Sequence, residues 1–212
     1  MPLDLHSSVP DRRKLARLFG LALRELETVT TGLAHPLGFI ILRQIPDDTG
    51  GYSRFHIWRR GNAGTQIPHT HSGHMNSTIL LGRLRNSLWV ADHGHLRPTP
   101  IVAVKKSDID APKYSVVGSH GLQLNSADEF GVGEAYELPA HIFHSNECLS
   151  EICVTFVERQ ACSGKSSLLA RELKDVATSS RQNELLSRPD RHAWGLGILR
   201  AAQSIGIEPD MA

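Results

Sequence analysis

The spacing of apolar residues changes from helical to strand-like within the first third of the chain. In residues 11–28, Leu15, Leu18, Phe19, Leu21, Leu23 and Leu26 fall largely on one helical stripe with charges opposite. That pattern predicts an amphipathic helix packed on something larger. Residues 37–45 (LGFIILRQI) and 52–60 (YSRFHIWRR) are rich in β-branched and aromatic residues instead. Asp47, Asp48, Gly50 and Gly51 between them predict two strands joined by a turn. Residues 76–92 predict two more strands hinged near Gly82 to Asn86, and Pro98 and Pro100 then break the chain before the short strands IVAV and YSVVG. The Gly-, Ser- and Asn-rich residues 118–132 read as a loop. Residues 134–138 lead into a turn at Pro139, and ICVTFVE (152–158) closes the strand-rich region. Many short strands separated by turn residues predict an all-β sandwich or barrel.

From about Ser163 helical spacing returns in SSLLARELKDVAT and DRHAWGLGILRAAQSIG, with Pro189 as the breaker between them. Three segments follow: an N-terminal helical segment (residues 1–35), a β-barrel (36–160) and a C-terminal helical extension (161–212). The helices either cover the barrel or form a dimer contact. A homodimer is the expected assembly, because barrels with an N-terminal amphipathic helix often pair.

Composition narrows the class of protein. A chain of 212 residues suits one domain with extra elements and can bury a full core. A formal charge of +1, without a basic run, argues against a dedicated nucleic-acid protein. The start, MPLDLHSSVPDRR, lacks the apolar stretch of a signal peptide, and nothing approaches a membrane span, so no membrane partner is expected. Cys148, Cys153 and Cys162 are an odd count without framework spacing, which favours reduced thiols and a cytoplasmic location. The unusual number is twelve histidines, and their clustering matters more than their count.

Two stretches gather the histidines that matter. GTQIPHTHSGHMNSTILLG (64–82) carries His69 and His71 one residue apart, and GEAYELPAHIFHSN (133–146) carries Pro139 and His144. In an extended segment, side chains two apart share a face, so His69 and His71 could bind one metal. The plainer reading is two surface histidines in a polar loop. His144, after a proline turn, offers a third ligand, and three neutral imidazoles leave coordination positions open for water, substrate or dioxygen.

Together the two stretches resemble the two motifs of the cupin superfamily. The first motif has a glycine, His-x-His, a glutamate and a later glycine: His69, His71 and Gly82 fall in place, with Gly64 one residue from the leading glycine. The second has Gly, a Pro-x-Gly turn and His: Gly133, Pro139 and His144 fit, and His141 replaces the turn glycine. The resemblance covers roughly residues 36–160. It implies an all-β core, a cupin-type double-stranded β-helix (jelly-roll) barrel with flanking N- and C-terminal α-helices. It also implies a metal held by His69, His71 and His144. The glutamate position is Met75 in this chain, with Asn76 beside it a poor substitute. A three-histidine set of this kind resembles that of thiol dioxygenases and some diketone-cleaving enzymes, which use ferrous iron.

The residues around these motifs carry weaker signals. His74 is a fourth ligand if its loop curls back, and otherwise lies beside the site or in solvent. His141 either orients substrate at the barrel mouth or caps a turn. Ser77 shares the parity of Met75 and should line the cavity. Tyr136 could donate a proton or hydrogen bond to bound oxygen, although a buried barrel tyrosine is the plainer reading. Of Arg43, Arg54 and Arg59, one pointing inward would clamp a substrate carboxylate. His93 and His95 form a second His-x-His best read as a solvated loop. Trp58, Trp89, Cys148 and Cys153 read as core. There is no phosphate-binding glycine loop and no nucleophile elbow.

The expectation is a metal-dependent cupin enzyme with one divalent metal per chain, Fe(II) favoured and Zn, Mn or Ni possible. It would act on a small, anionic molecule, with O2 as a possible second substrate. A redox-neutral isomerase, epimerase or lyase is the alternative, and a small-molecule binding or sensor cupin the second alternative.

Overall fold

A computed structural model of the chain describes residues 12–28, 33–35, 37–61, 66–92, 98–105, 113–161, 166–171, 184–185, 187–204 and 206. Its elements in order are α1 (Arg12–Thr28), β1 (Leu33–Ala34), β2 (Ile40–Pro46), β3 (Tyr52–Arg59), β4 (Met75–Leu81), β5 (Leu84–Asp92), β6 (Thr99–Lys105), β7 (Lys113–Phe130), β8 (Ala135–Leu138), β9 (Phe143–Cys148), β10 (Ile152–Arg159), β11 (Ser167–Ala170), β12 (Glu184–Leu185) and α2 (Arg188–Ser204). The strands form two antiparallel sheets, β12-β1-β2-β3-β10-β4-β8 and β11-β6-β7-β5-β9.

Local chemistry sets the hairpins. Between β2 and β3, Asp47 Oδ1 accepts hydrogen bonds from the N–H groups of Thr49 and Gly51, both at 2.8 Å. Between β4 and β5 the chain passes through Gly82 at φ 79°, where an added Cβ would lie 2.3 Å from Ile152 O. Only glycine fits both the angle and the approach.

Alternation along β3 and β10 sorts their side chains into two layers. Trp58, Met75, Ile79, Leu88, Phe130, Tyr136, Leu138, Cys153 and Val157 fill the space between the sheets. The opposite face of the seven-stranded sheet, with Ile40, Leu42, Phe55, Ile57, Leu80, Val154 and Phe156, packs under Phe19, Leu23 and Leu26 of α1 and Ile198 and Ala202 of α2. Both helices therefore cover this chain's own sheet. Each fully buried Leu, Ile or Phe there contributes about 1.5–3 kcal/mol relative to exposure. Because both faces are covered, the middle of β3 is buried at five successive residues rather than at every second one.

The expected hairpin strands, the hinge at Gly82 and the two terminal helices are all present. Three stretches differ. The loop expected over 118–132 is mostly the second half of β7, an 18-residue strand paired with β5 and β6. Pairing of residues 121–130 with β5, and of 118–120 with β6, outweighs its Gly/Ser/Asn composition. SLLA, expected within a helix, is β11, where it extends the second sheet beside β6. Pro189, expected as a breaker between two helices, opens the second of them, and the rest of the first (residues 172–178) lies outside the described residues. The proline lies in the first turn of α2, where its missing N–H is no loss, and Ser187 Oγ accepts the N–H of Asp190 to cap that turn. Gly64, His93, His95 and Cys162 lie outside the described residues. Among the described residues no helix is long and apolar enough to cross a membrane.

Candidate metal centre

Backbone pairing brings the three predicted histidines together. The N–H of His69 donates to His144 O, and the N–H of His144 to His69 O, each at 2.9 Å. On its other edge the same segment meets β11: the N–H of Thr70 donates to Leu168 O, and that of Ala170 to Pro68 O. Thr70 Oγ1 accepts the N–H of Leu168 at 2.9 Å. The segment carrying His69 thus pairs with the outer edges of both β9 and β11, the two ends of the second sheet. His71 is fastened separately, its carbonyl accepting the N–H of His141 at 2.8 Å.

The rings follow from that backbone. Centroids of His69 and His144 are 4.3 Å apart, those of His71 and His144 4.8 Å, and those of His69 and His71 5.0 Å. One ring nitrogen from each lies within 4.8 Å of the others. His69 and His144 are buried and His71 half-buried. Burial lowers the pKa of His69 and pushes those of His71 and His144 well below the ordinary value, with charge among the three adding to the shift at His71 and His144. All three imidazoles are therefore neutral at pH 7, the form that binds metal. His69 Nδ1 lies 3.0 Å from Ile67 O and His144 Nδ1 3.4 Å from Ile142 O. A proton on Nδ1 donates to those carbonyls, leaving Nε2 with the lone pair. His144 Nε2 is buried without a hydrogen-bond partner. Leaving such an atom unsatisfied is costly, and a divalent metal among three neutral imidazoles would satisfy it. The residues fit a metal.

Met75 is buried in the interior, opposite Arg159 and Leu138 in the strand register. A thioether therefore occupies the position where the motif has a carboxylate. Ser77 is also buried in the interior, opposite Tyr136. The Tyr136 phenol donates to Asn146 Oδ1 at 3.3 Å, and burial raises its pKa, so it stays protonated. His74 is directed away from the three rings, its Nε2 lying 3.6 Å from a Glu137 carboxylate oxygen at the surface. His141 has φ 67°, the left-handed conformation that explains why the motif has glycine there. Arg59 is exposed, its guanidinium 5.2 Å from the centroid of the Trp194 ring. The side chain of Arg43 lies outside the described ones.

Arg54 points inward, sharing its face of β3 with His56 and Trp58. Sequence reasoning missed three of its neighbours. Arg159, at the end of β10, donates to Tyr52 Oη at 2.8 Å and to Ser72 Oγ at 2.6 Å. The guanidiniums of Arg54 and Arg159 lie 5.2 and 5.5 Å from the centroid of the Tyr52 ring. His56 is buried against Phe39 and Trp58, and its Nε2 has no hydrogen-bond partner. Burial pushes its pKa well down, with Arg54, His35 and His69 adding to the effect. Alternation with Trp58 was the signal available for His56. For Arg159 it was the inward parity of Cys153 and Val157.

No protein-family model matches the sequence, and no curated protein matches it. Several solved structures are similar to it. The DMSP lyase DddQ from Ruegeria pomeroyi DSS-3 is 10% identical over 61% of this chain and 50% of its own, with a TM-score of 0.38. An oxalate decarboxylase variant from Bacillus subtilis is 12% identical over 77% and 31%, with a TM-score of 0.39. HEPD from Streptomyces albus, with 2-hydroxyethylphosphonate and Fe(II) bound, is 10% identical over 60% and 22%, with a TM-score of 0.36. This chain thus spans half or less of the length of each. Likeness at these levels says nothing about the reaction. The fold is a pair of antiparallel sheets with flanking helices, the architecture that the two motifs imply, and three histidines lie close enough in it to hold one metal.

Proposed function

We propose that this chain is a metal-dependent cupin enzyme, an Fe(II)-dependent dioxygenase acting on a small molecule inside the barrel. The observation that carries the reading is the buried cluster of His69, His71 and His144 with Met75 in place of a carboxylate. Three neutral ligands leave the full dication charge within the site and positions open beside it. The metal, when bound, would supply Lewis acidity and, if iron, a route for electrons between substrate and dioxygen.

The chain's own residues have separate tasks. The carbonyls of Ile67 and Ile142 fix the tautomers of His69 and His144, which orients their Nε2 lone pairs. Trp58, Met75 and Leu138 form an apolar wall that excludes water. Tyr136 keeps its proton and is the protonated donor of the deeper interior.

One observation favours a second reading, a redox-neutral lyase or isomerase. His56 is a neutral, buried imidazole whose Nε2 is unengaged, suited to accept a proton from a substrate. Screening small molecules with iron-loaded protein in an oxygen electrode, alongside substrate analysis under anaerobic conditions, separates the two. Substrate loss that requires oxygen supports the dioxygenase. Turnover that continues without oxygen and fails in His56→Gln supports the alternative.

A further inference from the structure

The interior of this barrel holds more positive charge than its metal site requires. Arg54 is 7% exposed, makes no ion pair with any described carboxylate, and has a buried Nε without a hydrogen-bond partner. Arg159 is equally buried, and both guanidiniums approach the same Tyr52 ring. The register puts the two arginines on one face of adjacent strands, with Tyr52 opposite Arg159 and Arg54 opposite Val157. Arg159 also reaches Ser72, the residue after His71, so this corner of the barrel adjoins the histidine loop. An alanine-sized Cβ at Gly73 would lie 2.6 Å from Gln160 O and 3.3 Å from Arg159 Nε, which shows how tightly loop and strand are joined.

Burying two guanidiniums side by side costs free energy unless an anion joins them. Burial lowers the pKa of Arg54; the Tyr52 phenol works against that shift and Arg159 adds to it. Arg54 stays charged all the same, because a guanidinium is not deprotonated in a protein. Its planar fork suits two oxygens of one anionic group.

We infer that Arg54, supported by Arg159 and Tyr52, is an oxyanion subsite beside the histidine cluster, and that the substrate carries a carboxylate, phosphonate or sulfonate group bound there. The rest of the substrate then extends toward His71 and the metal. This inference rests on the proposed metal-dependent function for its meaning, but the subsite itself can be tested without turnover. Arg54 is a specificity-determining residue in this scheme: it selects substrates by their charged end and fixes how far the reacting end reaches.

The test is calorimetric titration of zinc-loaded protein with acetate, methylphosphonate and methanesulfonate, with acetamide as the neutral control. Metal content and the circular-dichroism melting curve are measured on the same samples. The expected result is saturable binding of at least one oxyanion, at least tenfold tighter than acetamide. That binding is lost by tenfold or more in Arg54→Gln and partly kept in Arg54→Lys, with zinc content unchanged in both. Should Arg54→Gln fail to fold, Arg159→Lys provides the same comparison with its charge retained and its fork removed. Equal affinity for acetamide, no oxyanion binding at full zinc occupancy, or unchanged binding in the folded variants each overturns the subsite. Oxyanion binding by a chain that takes up no zinc leaves the subsite standing and overturns the metal reading instead.

Discussion

His69 and His144 exchange both of their main-chain hydrogen bonds, so the two sequence motifs meet through the backbone before any side chain takes part. Their rings are set by strand pairing, a rigid support for a ligand set that must keep its geometry without a metal. The neighbouring Thr70 holds the other edge of the same segment through Leu168.

Thr70→Val keeps the shape of that side chain and removes its oxygen. The half-buried N–H of Leu168 then loses its acceptor, and stability should fall by about 1 kcal/mol. Urea denaturation measures the loss. Zinc affinity should weaken only slightly, because the bonds from Thr70 N–H to Leu168 O and from Ala170 N–H to Pro68 O still hold that edge; a large loss would mean that the hydroxyl itself sets the ring.

The histidine pKa shifts fix the direction of the pH dependence. His56, His69, His71 and His144 are all held below the ordinary value of 6.5 in the folded chain. From about pH 7.5 upward neither state is protonated and their contribution is constant. Below it the unfolded chain takes up protons that the folded chain refuses. Stability therefore falls with pH, by up to about 1.4 kcal/mol per pH unit for each histidine. The melting temperature of the metal-free protein should be level above neutrality and drop steeply on acidification. A profile that stays level to about pH 5 contradicts the neutral, buried assignment.

Met75→Glu restores the carboxylate of the cupin motif. In the metal-free protein it buries a carboxyl group, which costs more than the about 1–3 kcal/mol of a neutral polar group unless Arg159 across the strand pairs with it. With zinc it becomes a fourth ligand. The zinc-induced rise in melting temperature should therefore be larger than for the parent chain, and an equal rise would place residue 75 out of reach of the metal.

His141 separates a turn residue from a catalytic one. At φ 67° glycine removes the strain of the left-handed conformation but loosens the unfolded chain, so His141→Gly should change stability by less than about 1 kcal/mol. His141→Val should cost about 1–3 kcal/mol, because a β-branched residue resists that angle. Zinc uptake is expected to be unchanged in both. A large loss of turnover in the stable glycine variant, once a substrate is known, would give the imidazole a direct role.

The legible parts of the fold were those where local chemistry and tertiary structure agree. The amphipathic stripe of α1, the Asp47 turn and the glycine hinge at Gly82 each carry their own structural reason in a few residues. The histidine pair was legible for the same reason, since parity in an extended segment is local. What stayed hidden depends on partners distant in sequence. The second half of β7 has loop composition and is a strand because β5 pairs with it, while β6 pairs with the first half. β11 has helical spacing yet meets a sheet edge and the His69 segment. Both faces of β3 are buried, so its composition does not announce that Arg54 and His56 face the interior, and only their shared parity with Trp58 points there. Arg159 ends a strand that reads as mostly apolar, and only continuing the parity of Val157 by two residues finds it.

Metal stoichiometry tests the central claim most directly. Tag-free protein purified without oxygen, beside a His144→Ala control, is analysed by plasma emission spectrometry after dialysis against iron or zinc. The expected result is about one metal per chain in the parent and little in the control, since losing a direct ligand should cost more than the roughly 10–100-fold lost with a supporting residue. Iron retained from the cell would favour oxygen chemistry, and zinc, manganese or nickel the redox-neutral alternative. Equal metal in both proteins, or none in either after reconstitution, would contradict the assignment of His69, His71 and His144 as a metal centre.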